Sequence, residues 1–236
     1  MSEKEFGTLK FGQFICIGIG FFGCLICILS ILLPDSLRHF FLNSAYLSDY
    51  EQYKILFRMT NISFVIFQIL SVGLVAFFYM LVRPKNYAKV FFTSLLGAYG
   101  SFLGALYYLK LTINVDRLYW AVKNADSHVA SILLTLGLPN YEQLIFIIGL
   151  PAIWWIVVSF LSLDNSFIPK SLVIIGFLIG LNATGYLLML YFQQMGIAKW
   201  SFLLNTVFIT IWSVHSMITK TVIDIRIDHW FHFIFI

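Results

Sequence analysis

A chain of 236 residues that is 60% hydrophobic and only 11% charged has too few polar side chains for the surface of an ordinary soluble fold. The composition places it among polytopic membrane proteins, as a single domain without a Ser, Gly or Pro-rich linker. Its net charge of +4 is scattered through short polar segments, which argues against nucleic acid as a partner and makes the lipid bilayer the expected surroundings.

Six uncharged apolar runs order the chain, and the expected fold is all-α: a bundle of six transmembrane helices. The first run, 11–33, reaches roughly 34 Å as a helix, enough to cross the hydrocarbon. It is long for a signal-peptide core and no Ala-x-Ala site follows before Asp35, so an uncleaved span is expected. Cys16, Cys24 and Cys27 all lie in it and read as small packing residues rather than disulfide halves.

The segment 34–58 reads as a polar connection, with Asp35, Arg38, His39, Asp49, Glu51, Lys54 and Arg58, and with Tyr46, Tyr50 and Tyr53 suited to the interface. In the second span, 59–82, Asn61 and Gln68 share a helix face with Ser71 nearby, a stripe that should point into the bundle. A basic corner with Arg83, Lys85 and Lys89 leads to the third span, 90–109. Its Gly100-Ser101-Phe102-Leu103-Gly104 is a GxxxG pattern that lets another backbone approach, either within the chain or across a homo-oligomer seam.

The longest interruption expected is 110–142. Within it 129–138 is apolar but too short to cross, which suits an interfacial or re-entrant segment, and Leu118-Tyr119-Trp120 looks like an interface anchor. This loop is expected to rest on the bilayer or else to supply a lid or an outer ligand surface. In the fourth span, 143–163, Gly149 and Pro151 can bend the helix, and the carbonyl that the proline frees often marks a cavity wall.

Pro169 sits where the fifth span, 171–192, should begin. Gly176, Gly180 and Thr184 make a second close-packing face there, another possible homo-oligomer seam, with Asn182 beside it. The sixth span, 200–219, carries Asn205, Thr206, Thr210 and His215, and the imidazole is expected to hydrogen-bond a neighbour such as Asn182 or Asn205. The tail, 220–236, alternates isoleucines with charges and reads as an amphipathic helix turned along the membrane surface.

Lys and Arg divide almost evenly between the two sides of this bundle. The density of Arg83, Lys85 and Lys89 beside span ends tips the orientation, so that both termini are expected in the cytoplasm.

The stretch FFYMLVRPKNYAKVFFTSLLGAYGSFLGALYYLKL, residues 77–111, resembles the span-turn-span signature of a family of six-span bacterial membrane proteins defined only as a domain of unknown function. SFIPKSLVIIGFLIGLNATGYLL, residues 166–188, is similar to that family's turn leading into a glycine-rich span. The resemblance implies an inner-membrane protein and carries no catalytic residues over. The family's arginine early in the third span is replaced here by Gly97-Ala98-Tyr99.

Inside the six runs there is no Asp, Glu, Lys or Arg, which argues against a proton relay. No phosphate loop, HExxH motif or nucleophile elbow is present, and no cofactor is implied. Asp224, Asp228 and His232 fall on one helix face and could offer ligands to a divalent metal, although solvated interfacial side chains explain them more simply. The uncharged set Asn61, Gln68, Asn182, Asn205 and His215 leads to three expectations. The first is a non-enzymatic bundle that binds a small apolar molecule or lipid or assists a partner complex; the second is a transporter or channel for an uncharged or hydrophobic solute; the third is a surface enzyme using the tail.

Overall fold

The structure, a computed structural model, describes residues 3–34, 37, 49–82, 87–124, 141–163, 168–192 and 195–218, and among them it contains helices and turns but no strand. The helices are α1 (Glu3–Leu32), α2 (Tyr50–Val82), α3 (Tyr87–Lys123), a composite α4, α5 (Lys170–Tyr191) and α6 (Met195–Ile218). Helix α4 opens with one turn, Tyr141–Leu144, widens to a π-helical turn at Ile145–Gly149, and continues as Leu150–Leu161. The widening directly precedes Pro151, which has no N–H to return to the carbonyl one turn back, so the ladder must change register there.

Among the described residues four helices are long and apolar enough to cross a membrane: α1 over Phe11–Leu32, α2 over Tyr50–Met80, α3 over Tyr87–Ala121 and α5 over Lys170–Tyr191. The apolar part of α4, Ile145–Leu161, is shorter. Helix α6 is 24 residues long.

Each helix packs chiefly on its sequence neighbours, and α1 against α6 closes the circle. Cross-helix neighbours run in opposite senses at each of these seams: Gly12 meets Phe77 and Gly18 meets Leu70 between α1 and α2, while Gly97 meets Trp154 and Gly100 meets Pro151 between α3 and α4. Gly23 meets Thr210 where α1 and α6 join. The described helices form an up-and-down ring of six.

A ring this wide leaves an axis that side chains must fill, and aromatic residues fill it in two layers. Toward the Val82 end of α2, Phe78 lies 5.9 Å from Trp154 and 5.4 Å from Trp212, and Trp155 lies 4.9 Å from Trp154 and 5.3 Å from Trp212. Toward the other end, Phe64 stacks on Tyr108 at 4.5 Å, and Phe202 lies 5.7 Å from both Phe64 and Tyr186. The outward face is apolar instead, with Phe14, Phe21, Phe92 and Phe160 all more than half exposed, as a lipid-facing surface requires.

The glycine faces are occupied within the chain. Gly100 lies against Pro151 and the carbonyl of Phe146, Gly104 against the Gln68 amide, Gly176 against Ser159 and Trp155, and Gly180 against Ile156 and the carbonyl of Ala152. All four are buried there, so the approach they permit is used between α3, α2 and α4 and between α5 and α4.

Two boundaries differ from the sequence expectation. Helix α2 begins at Tyr50 rather than near 59, and α3 continues to Lys123 rather than ending near 109. The charged residues at these ends do not break the helices, because they pair with one another across the α2–α3 seam. At 33 and 37 residues, α2 and α3 reach roughly 50 and 55 Å, well beyond about 30 Å of hydrocarbon. Their joined ends, Val82 and Tyr87, are separated only by 83–86, so the excess stands out at the Tyr50 and Lys123 ends. The expected interfacial segment 129–138, the tail 220–236 and most of the basic corner lie outside the described residues.

Candidate functional site

Between the two aromatic layers the ring keeps a cavity of about 80 Å³. Helix α2 contributes Gln68 and Ser71 to its wall, α3 Ser101, α4 Pro151 and Trp154, α5 Tyr186, and α6 Asn205 and Thr206. Helical spacing explains the set: Gln68 and Ser71, like Asn205 and Thr206, lie on inward faces between aromatic residues of the upper and lower layers. The π-helical turn also reaches the wall through Ile147 and Ile148.

Gln68 occupies the space that Gly104 leaves. A Cβ at Gly104 would lie 3.0 Å from the Gln68 amide carbon, so this glycine seats a polar side chain. Ser71 and Thr206 donate their hydroxyl protons to carbonyls of their own helices, Phe67 O at 2.9 Å and Phe202 O at 3.4 Å. Asn205 Oδ1, the Tyr186 hydroxyl and the indole N–H of Trp154 are buried without a hydrogen-bond partner among the described residues. Among the described residues no acidic, basic, imidazole or thiol side chain lines the chamber, so what it offers a molecule is hydrogen bonds from hydroxyl, amide and indole groups, and packing.

Of the five uncharged candidates, the structure brings two together, Gln68 and Asn205. Asn61 is buried and donates to the Phe57 carbonyl one turn back at 2.9 Å. Asn182 ties α5 to α6 by donating to Ser201 O at 2.8 Å. His215 Nε2 meets Ser171 Oγ at 2.8 Å, joining the end of α6 to the start of α5, so its partner here is neither Asn182 nor Asn205. The metal candidates Asp224, Asp228 and His232 lie outside the described residues, and among those described no group of His, Cys, Asp and Glu could hold a metal.

A second polar cluster, which the sequence reading missed, joins the projecting ends of α2 and α3. Asp116 accepts a hydrogen bond from the Tyr50 hydroxyl at 2.7 Å, pairs with Lys54 at 3.0 Å, and also pairs with Arg58. Glu51 accepts from Tyr119 at 2.5 Å and pairs with Lys123 at 3.3 Å. Partial burial pushes the Asp116 carboxyl up, but the Tyr50 hydrogen bond and the two cations outweigh it and hold the group below the usual carboxylate range. The Tyr119 hydrogen bond and Lys123 hold Glu51 below that range as well. Tyr50, Lys54 and Arg58 recur every fourth residue, a helical spacing visible in the sequence and the signal that could have extended α2.

A helical ring with apolar helices of crossing length, a lipid-compatible exterior and a neutral polar chamber defines the chain as an α-helical membrane protein. No family model, curated protein or solved structure matches it.

Proposed function

We propose that the chain is a six-span, non-enzymatic protein of a bacterial inner membrane, with both termini in the cytoplasm, that holds a small uncharged molecule at the axis of its ring. The observation that carries this reading is the neutral chamber between two aromatic layers, lined by Gln68, Asn205 and hydroxyl groups from several helices. A cavity of about 80 Å³ is near half the roughly 150 Å³ that accepts benzene, which suits a small molecule and leaves no room for a lipid chain. The bacterial inner-membrane assignment draws on the resemblance of residues 77–111 and 166–188.

The test is thermal unfolding of the purified chain against a panel of small neutral compounds, beside an Ala183→Leu chain whose chamber is filled. Ala183 is buried on the chamber wall. At least one compound should stabilise the parent and fail to stabilise the filled variant. A panel that affects both chains alike defeats the reading.

Transport of such a solute is the second reading, favoured by the placement of the two aromatic layers on either side of the chamber along the ring axis. Counterflow of labelled neutral solutes in proteoliposomes tests it. Binding without flux would leave a ligand-holding protein, and flux abolished by Ala183→Leu would establish a carrier.

A further inference from the structure

Resting on the ligand-holding reading, we propose that the chamber's occupant is a neutral molecule of about three to five heavy atoms that both donates and accepts hydrogen bonds, as a short primary amide does, and that Trp154, Tyr186 and Asn205 are its partners. Size follows from the volume, since about 80 Å³ is half of a cavity that takes a six-carbon ring. Polarity follows from the wall.

Trp154 and Tyr186 are 2% and 1% exposed, yet the indole N–H and the phenol hydroxyl lack a hydrogen-bond partner among the described residues. An indole nitrogen can only donate, so the Trp154 side of the chamber calls for an acceptor. Asn205 presents an unmatched amide oxygen, which calls for a donor. Ser71 and Thr206 have already given their protons to Phe67 O and Phe202 O, so their oxygens remain as further acceptors. These residues belong to α2, α4, α5 and α6, and they meet only because the ring closes.

A hydrocarbon would leave every one of these groups unmatched in a medium where no bulk water can satisfy them. An ion would find no countercharge among the described lining residues, none of which is ionised. A molecule with an N–H or O–H beside a carbonyl or hydroxyl oxygen answers both demands within the available volume.

The experiment uses the full chain in lipid nanodiscs and saturation-transfer NMR with two probes, acetamide and cyclopropane. Acetamide should receive saturation from the protein. Asn205→Leu should weaken it about tenfold and the isosteric Tyr186→Phe about threefold, each loss matching one neutral hydrogen bond. Asn182→Ala, away from the chamber, should leave acetamide unaffected. Near-ultraviolet circular dichroism and size exclusion establish that each variant is folded. Acetamide affinity unchanged in both folded chamber variants overturns the proposal. So does cyclopropane binding as tightly as acetamide and undiminished by Asn205→Leu, a result that leaves the ligand-holding reading standing. If neither probe binds the parent while larger neutral compounds still stabilise it in the Ala183→Leu comparison, the proposed size and chemistry fall alone. If no compound does so either, the chamber holds water only and both readings fall.

Discussion

Gly100 on α3 and Pro151 on α4 meet so closely that a Cβ on the glycine would lie 2.3 Å from the proline Cδ and 3.0 Å from the carbonyl oxygen of Phe146. Neither neighbour is the end of a flexible side chain. The first is a ring closed on the backbone and the second is backbone itself, so the helices must part to admit one methyl group. Gly100→Ala should therefore cost about 1–3 kcal/mol, measured as a lower midpoint of denaturant unfolding in detergent. Gly185 on α5 is the control, because a Cβ there would meet nothing within 4 Å. Gly185→Ala should stabilise by about 0.5–1 kcal/mol through the backbone alone. Equal effects at the two glycines would sink the packing account.

Asp116 supplies the next expectation. Its carboxyl is held below the ordinary carboxylate range, so folding favours the ionised form. That contribution is complete above the unfolded value of about 4 and is lost as pH falls through the lower folded value. The cations it meets, Lys54 and Arg58, are each 40% exposed at the side chain, so solvent screening keeps the effect near 1 kcal/mol. Asp116→Asn should lower the unfolding midpoint by that amount at pH 7. The difference from the parent should shrink below pH 4. A difference that stays constant down to pH 3 would show that charge is not involved.

Asn182 separates structural amides from those of the chamber. Its bond to Ser201 O ties α5 to α6, and Asn182→Ala should cost about 1 kcal/mol in the same unfolding measurement. Stabilisation of the folded variant by neutral compounds should persist. A variant of normal stability that no longer responds to any compound would place Asn182 in the binding site instead.

Much of this architecture was legible because bilayer crossing imposes a length and excludes charge. The runs 11–33 and 171–192 nearly coincide with the apolar parts of α1 and α5 for that reason. The ends of α2 and α3 were not legible, since a charge count locates where the hydrocarbon stops and says nothing of where the helix stops. Tyr50, Lys54 and Arg58 continue one helix face toward Asp116, and that partner lies across a seam. The chamber divided in the same way. Gln68 and Asn205 stood out as polar residues in apolar runs, but Tyr186 and Trp154 look like ordinary core aromatics until closure of the ring leaves their donors unmatched. His215 was expected to bond an amide and bonds Ser171, because antiparallel packing brings the last turns of α6 beside the first turn of α5.

Topology gives the last expectation. In an up-and-down ring, the Tyr50 and Lys123 ends lie at one end of the bundle, while Lys89 near the start of α3 and Lys170 at the start of α5 lie at the other. With the basic corner cytoplasmic, Glu51→Cys and Lys123→Cys should react with a membrane-impermeant maleimide on intact cells, whereas Lys89→Cys and Lys170→Cys should react only after permeabilisation. All four native side chains are exposed, so access depends on sidedness. Cys16, Cys24 and Cys27 lie in the apolar part of α1, where a hydrated reagent does not reach, and the parent chain serves as the blank. The reverse pattern would invert the protein. Labelling of Lys89→Cys and Lys123→Cys from the same side would mean that α3 does not cross, and the ring with its chamber could not then lie along the bilayer normal.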